Sequence, residues 1–116
     1  MKVLVCGSRN LDKSWLKRIR ERLERLPADS IVIEGGARGA DLLARTAAQD
    51  TGLDVVEMPA NWKRYGLPAG PIRNRAMLDL QPDIVIAFHP KIEESSGTKD
   101  CVAEAKRRGI LVEVIS

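Results

Sequence analysis

Hydrophobic positions follow two alternating rhythms along this chain. Lys2 to Cys6, Ser30 to Glu34, Asp54 to Met58, Asp83 to Phe88 and Leu111 to Ile115 are short apolar runs punctuated by Gly, Pro or Asp, and they read as strands. Between them, Asp12 to Leu26, Arg38 to Asp50, Pro71 to Leu80 and Thr98 to Arg108 read as helices. In the first of these, Trp15, Leu16, Ile19, Leu23 and Leu26 recur at helical spacing while Arg, Lys and Glu fill most other positions. That is an amphipathic helix with a solvated face, where Arg20 with Glu24 and Glu21 with Arg25 are the expected ion pairs. Gly52 and Gly109 each follow a helix and precede an apolar run, as left-handed C-terminal caps do.

Strands separated by helices imply a parallel sheet. Continuous apolar runs such as Ile84-Val-Ile-Ala-Phe88 imply that both of its faces are covered. The expected fold is α/β, a three-layer sandwich of about five parallel strands alternating with four helices, in one domain spanning 1–116. Right-handed crossovers bring the loops after the strands to one carboxyl edge, and the ligand crevice lies where the strand order reverses. Four polar loops meet there: Gly7 to Asn10, Gly35 to Asp41, Pro59 to Arg75, and His89 to Thr98.

Composition narrows the class without naming a ligand. The net charge of +3 leans weakly toward an anionic partner, and no run is long enough for a membrane span, so no membrane partner is expected and a cytoplasmic location is. Cys6 and Cys101 read as buried thiols rather than a disulfide. With one His, no metal site and no cofactor is expected.

The chemistry concentrates in the four loops. At Glu34-Gly-Gly-Ala-Arg-Gly-Ala-Asp41 a strand turns sharply into a helix, which predicts unpaired N–H groups at a positive helix end and hence a phosphate corner. Gly35, Gly36 and Gly39 allow close approach, Arg38 adds a forked cation, and Asp41 accepts from backbone N–H groups or a ribose hydroxyl. Gly7, Ser8 and Arg9 offer a backbone turn, a hydroxyl and a guanidinium; Arg9 either clamps phosphate or pairs with Asp12. In the third loop Trp62 either stacks on a base or roofs the core, and Gly70, Arg73 and Asn74 lie near a helix start where Arg73 can meet phosphate. Ser96, Gly97 and Thr98 open the last helix as a second phosphate corner, with Ser96 or Thr98 as hydroxyl donor; an ordinary helix cap is the alternative. His89 reads as a loop residue, and Glu34 is the carboxylate most suited to hold a ribose or act as a base.

With these motifs in view, the chain resembles the SLOG superfamily of Rossmann-like nucleotide-binding domains, and within it the small YspA-related branch. Gly35-Gly-Ala-Arg-Gly-Ala-Asp41 is similar to the turn of the DNA-processing proteins. Ile72-Arg-Asn-Arg-Ala-Met77 followed by Ser96-Gly-Thr98 is similar to the motifs of the Lonely Guy phosphoribohydrolases, which cleave the N-glycosidic bond of nucleoside monophosphates. The resemblance implies a Rossmann-like fold and a nucleotide or nucleotide-derived ligand, with single-stranded nucleic acid as the alternative partner. It also implies a homodimer or larger homo-oligomer. Arg73 falls on those enzymes' catalytic Arg, and Gly97 and Thr98 on their phosphate corner. Their catalytic Glu falls on Cys101, which leaves Glu34, Asp41 or Asp100 to supply a carboxylate.

Overall fold

In the computed structural model, which describes residues 1–116, the strands β1 (Lys2–Gly7), β2 (Ile31–Glu34), β3 (Asp54–Glu57), β4 (Ile84–Phe88) and β5 (Leu111–Ile115) form one sheet. All pairings are parallel and the order is β3-β2-β1-β4-β5. This is the Rossmann-like sandwich expected from the alternation of elements. The chain leaves β1 toward β2 on one side and returns to β4 on the other, so the order reverses between β1 and β4. Connections on either side of that point diverge and leave a crevice at the carboxyl edge.

Side chains alternate across the strands and divide the core in two. Val3, Val5, Val32, Ile84, Ile86 and Phe88 meet helices α1 (Leu16–Glu24) and α2 (Ala40–Asp50) on one face. On this side the alanines Ala40, Ala44, Ala47 and Ala48 are fully buried, and their small side chains let α2 lie close to the sheet. Leu4, Cys6, Ile33, Val85 and Ala87 pack on the other face with Met77 and Leu78 of α4 and with Cys101, Val102 and Ala105 of α5. The intervening short helix α3 spans Trp62–Tyr65, α4 spans Ala69–Leu78 and α5 spans Gly97–Arg107.

The helices number five rather than four. Helix α3 falls inside the segment expected to be loop, because the Asn61 side chain accepts the Arg64 N–H at 3.1 Å and starts a turn that Gly66, at φ 64°, stops. Helix α1 is shorter than expected at both ends. Asp12 accepts the Ser14 N–H at 2.9 Å and organises a 3-10 turn over Lys13–Trp15, and Pro27 disfavours helical geometry in the residue before it. The expected pairs on its polar face do not form. Arg20 reaches Asp50 of α2 at 2.8 Å, Arg22 reaches Glu113 of β5 at 2.6 Å, and Glu21 faces Lys17 at 4.0 Å. Two of these cations thus clamp α1 to its neighbours.

Gly39 precedes α2 at φ +76°, and a Cβ there would stand 2.3 Å from the Ser8 carbonyl oxygen and 2.7 Å from the Arg9 Cα. Gly52 has nearly the same backbone, at φ +78°, with nothing within 4 Å of that position. Gly52→Ala is therefore expected to cost about 1 kcal/mol from backbone strain alone, and Gly39→Ala distinctly more. Urea unfolding of the two variants checks this, and equal losses would contradict the close crossing at Gly39.

Candidate functional site

A cavity of about 670 Å³ opens at the carboxyl edge where the strand order reverses. Its walls come from the turn after β1, the start of α4, the residue after β4 and the first turn of α5, with Asp41 also lining it. Of the residues singled out in the sequence, Gly7, Ser8, Arg9, Asp41, Trp62, Gly70, Arg73, Asn74, Ser96, Gly97 and Thr98 line this one space. Glu34, Gly35, Gly36, Arg38 and Gly39 do not.

The two expected phosphate corners differ. At α2, three of the first four N–H groups are already paired: Ala40 donates to the Ser8 carbonyl oxygen at 2.9 Å, Leu42 to Ala37 at 3.2 Å and Leu43 to Gly39 at 3.0 Å. The β1 turn lies where an anion was expected, so the Gly35–Asp41 corner is closed by the protein itself. At α5 the end is open. Gly97 and Lys99 N–H groups have no partner in the chain, and Thr98, 6% exposed, has a hydroxyl with none. Ser95, rather than Ser96, provides the side-chain cap here, its Oγ accepting the Thr98 N–H at 3.0 Å. Ser96 is thereby left exposed on the cavity rim.

The closed glycine turn has another use. Arg73 donates through Nη1 to the Gly35 carbonyl oxygen at 2.7 Å and through Nε to Asn74 Oδ1 at 3.2 Å. Its guanidinium lies against Gly35 so closely that a Cβ there would stand 2.2 Å from Nη1. Asn74 in turn donates to Gly97 O at 3.3 Å and to Asp100 Oδ2 at 3.1 Å, tying Arg73 to the open end of α5. Asp41 accepts the Ala37 N–H at 3.2 Å. Burial pushes its carboxyl up to about 6, held from going higher by that N–H and by Arg73.

On the outer wall Trp62 is exposed and Arg9 stands over its ring, 5.4 Å from the centroid. Arg9 makes no pair with Asp12, whose carboxylate is engaged by Ser14. Gly70 lets the Trp62 ring approach, a Cβ there lying 3.2 Å from it. Asn10, Leu67 and Glu94, for which the sequence suggested no part, also line the cavity, as do His89 and the candidate carboxylate Asp100. For Asn10, Leu67, Glu94 and His89, position in the four loops was the available signal.

Two expected chemical groups lie elsewhere. Cys101 is buried on the core side of α5, off the cavity lining, where its thiol meets that of Cys6; this contact and burial push the Cys6 thiol well up. Glu34 is fully buried beside Glu57 on the neighbouring strand. One oxygen accepts the Gly36 N–H at 2.6 Å and the other has no partner. Burial, then Glu57, push the Glu34 carboxyl up to about 8, so at neutral pH it is a protonated structural group rather than a base facing a ligand.

That arrangement sets a pH dependence. The folded chain holds the Glu34 proton to about 8 against 4.5 for the free group, so the native state binds more protons between those values. Stability from this group is complete below about 4.5 and is lost as pH rises through about 8. Relative to Glu34→Gln, the wild-type urea midpoint is expected to fall from pH 5 to about 8 and then level off. Parallel profiles would contradict the buried proton.

The Gene 61 protein of Mycobacterium phage D29 is 34% identical over 122 residues, covering 96% of this chain and 93% of that protein. The X-ray structure of DNA processing protein A (DprA) from Streptococcus pneumoniae superposes with a TM-score of 0.78 at 22% identity, a likeness of fold. It covers 99% of this chain, which spans about half of the DprA chain. The sequence profile of the YspA, cpYpsA-related SLOG family matches residues 1–65, from β1 through α3 and so including the glycine turn and Trp62. The chain therefore belongs to the YspA, cpYpsA-related SLOG family.

Proposed function

We propose that this domain binds a phosphorylated nucleotide, or a ligand derived from one, in the crevice between β1 and β4. The observation that carries the reading is the open first turn of α5 facing a cavity of about 670 Å³ at the strand-order reversal. A space of that size suits a nucleotide. Gly97, Thr98 and Ser96 take the phosphate, where the helix end favours negative charge. Arg73, with Nη2 unpaired in the chain, and Arg9 neutralise it. Asp41 accepts from a ribose hydroxyl, and Trp62 stacks on the base. The glycine turn holds Arg73 and Asp41 in place instead of touching phosphate. A homo-oligomeric state belongs to this reading through the Lonely Guy resemblance, and a cytoplasmic location is proposed with it.

Cleavage of an N-glycosidic bond is the chemistry such a site permits. Asp41 is the buried carboxylate beside Arg73, positioned to stabilise an oxocarbenium-like centre or activate water, roles that Glu34 and Cys101 cannot take from where they lie. Free base released from a nucleoside monophosphate by wild type and lost in Asp41→Asn supports hydrolysis; binding without release restricts the domain to binding or sensing.

One observation favours single-stranded nucleic acid as a second reading. Trp62 and Tyr65 are both exposed on α3 and each carries an Arg over its ring, Arg9 at 5.4 Å and Arg64 at 5.1 Å. Paired aromatics with cations form a stacking platform. Tyr65 lies outside the cavity, so it separates the two readings.

Calorimetric titration with a panel of nucleoside monophosphates tests the leading one. Arg73→Ala and Trp62→Ala are expected to weaken binding by about tenfold or more, while Arg38→Ala and Tyr65→Ala leave it unchanged. Loss in Arg38→Ala equal to that in Arg73→Ala would contradict the location of the site. Affinity for a single-stranded oligonucleotide that falls steeply with salt and is lost in Tyr65→Ala would favour the second reading.

A further inference from the structure

The chain has one histidine, and it stands where the strand order reverses. His89 directly follows β4. Its backbone N–H donates to the Ile115 carbonyl oxygen at 2.9 Å, which fixes the main chain at that point. The half-buried side chain lies on the cavity wall, and its Nδ1 accepts the Lys91 backbone N–H at 2.9 Å. A ring nitrogen that accepts carries no proton, so the neutral imidazole has its hydrogen on Nε2. Nothing in the chain accepts from Nε2. One nitrogen thus orients the ring, and the other leaves a single free donor.

The neighbouring groups on that wall lack an acceptor for it. Thr98 is 94% buried with an unpartnered hydroxyl, and the Gly97 N–H is unpaired, so the first turn of α5 presents donors. Of the three carboxylates lining the cavity, Asp41 accepts the Ala37 N–H at 3.2 Å, and Asp100 and Glu94 face other groups. Asp100 accepts from Asn74 at 3.1 Å and faces Arg75 at 3.7 Å, and Glu94 faces Lys91 at 4.0 Å. These donors face the cavity rather than the closed core, so they are open to an acceptor that enters it.

The geometry points to His89 as a binding residue for the anionic group held at the first turn of α5: a phosphoryl oxygen accepts Nε2–H together with the Thr98 hydroxyl and the Gly97 N–H. The assignment rests on the phosphate reading above and adds to it a residue, an atom and a tautomer. A phosphate monoester or inorganic phosphate satisfies these donors, whereas a neutral nucleoside leaves them unpaired.

With one imidazole in the chain, long-range ¹H–¹⁵N spectra of the labelled protein report His89 alone. In the free protein Nδ1 is expected to be the unprotonated nitrogen. Inorganic phosphate, and then adenosine 5′-monophosphate, should move the Nε2–H resonance along with the Gly97 and Thr98 amides, and adenosine should not move it. His89→Gln, which returns a donor near Nε2, should keep most of the affinity. His89→Asn, which returns only the acceptor for Lys91, should lose about tenfold. Amide shifts with an unmoved imidazole, or equal affinity in both variants, would overturn the role of His89 while leaving the phosphate site standing. If neither amides nor imidazole move at millimolar phosphate or monophosphate, both readings fall.

Discussion

The backbone crossing between the turns after β1 and β2 decides where a ligand can sit. Ala40 donates to the Ser8 carbonyl oxygen at 2.9 Å, and Gly39 permits the crossing because no Cβ fits between it and Ser8. On its other side the same turn is pinned at Gly7, where a Cβ would stand 2.2 Å from the Phe88 carbonyl oxygen, and Ser8 N–H donates to that oxygen at 3.0 Å. The exit of the central strand is thereby wedged between α2 and β4. One consequence is that α2 spends its positive end on the protein's own carbonyls. The other is that the open helix end at the edge is that of α5, with Thr98 and His89 beside it.

Charge follows from that wedge. Arg73 is held by the Gly35 carbonyl and by Asn74, which also grips Gly97 and Asp100, so one chain of hydrogen bonds joins the glycine turn to the open helix end. A half-buried guanidinium held this way loses little freedom on meeting an anion, which favours binding. Asp41 sits at the other side of Arg73 in a site that raises its carboxyl to about 6. An anchored cation, a buried carboxylate and an open helix end suit a ligand with both a phosphate and hydroxyl groups.

The layers, the parallel sheet and the convergence of four loops were legible in the sequence, because they follow from local periodicity and from the handedness of crossovers. The edges of elements were less so. Asn61 starts a helix inside an apparent loop, and the choice of Ser95 over Ser96 as cap depends on the backbone conformation before α5. The glycine turn shows the deeper limit. Its residues are those of an anion corner, but whether its N–H groups are free depends on Ser8, about thirty residues earlier in the chain. Glu34 misleads for the same reason, since its partner Glu57 comes from the next strand and only strand register brings the two carboxyls together. His89 was visible as a residue, but its tautomer is set by a bond to Lys91 that composition cannot reveal.

The central claim is that the crevice between β1 and β4 holds a phosphorylated nucleotide-type ligand. Native mass spectrometry of the purified protein, before and after exposure to a pool of nucleotides, tests it most directly, with chromatographic identification of whatever denaturation releases. A retained mass that proves to be a nucleotide or a phosphorylated derivative is the predicted result. A protein that carries nothing and takes up nothing from the pool would contradict it.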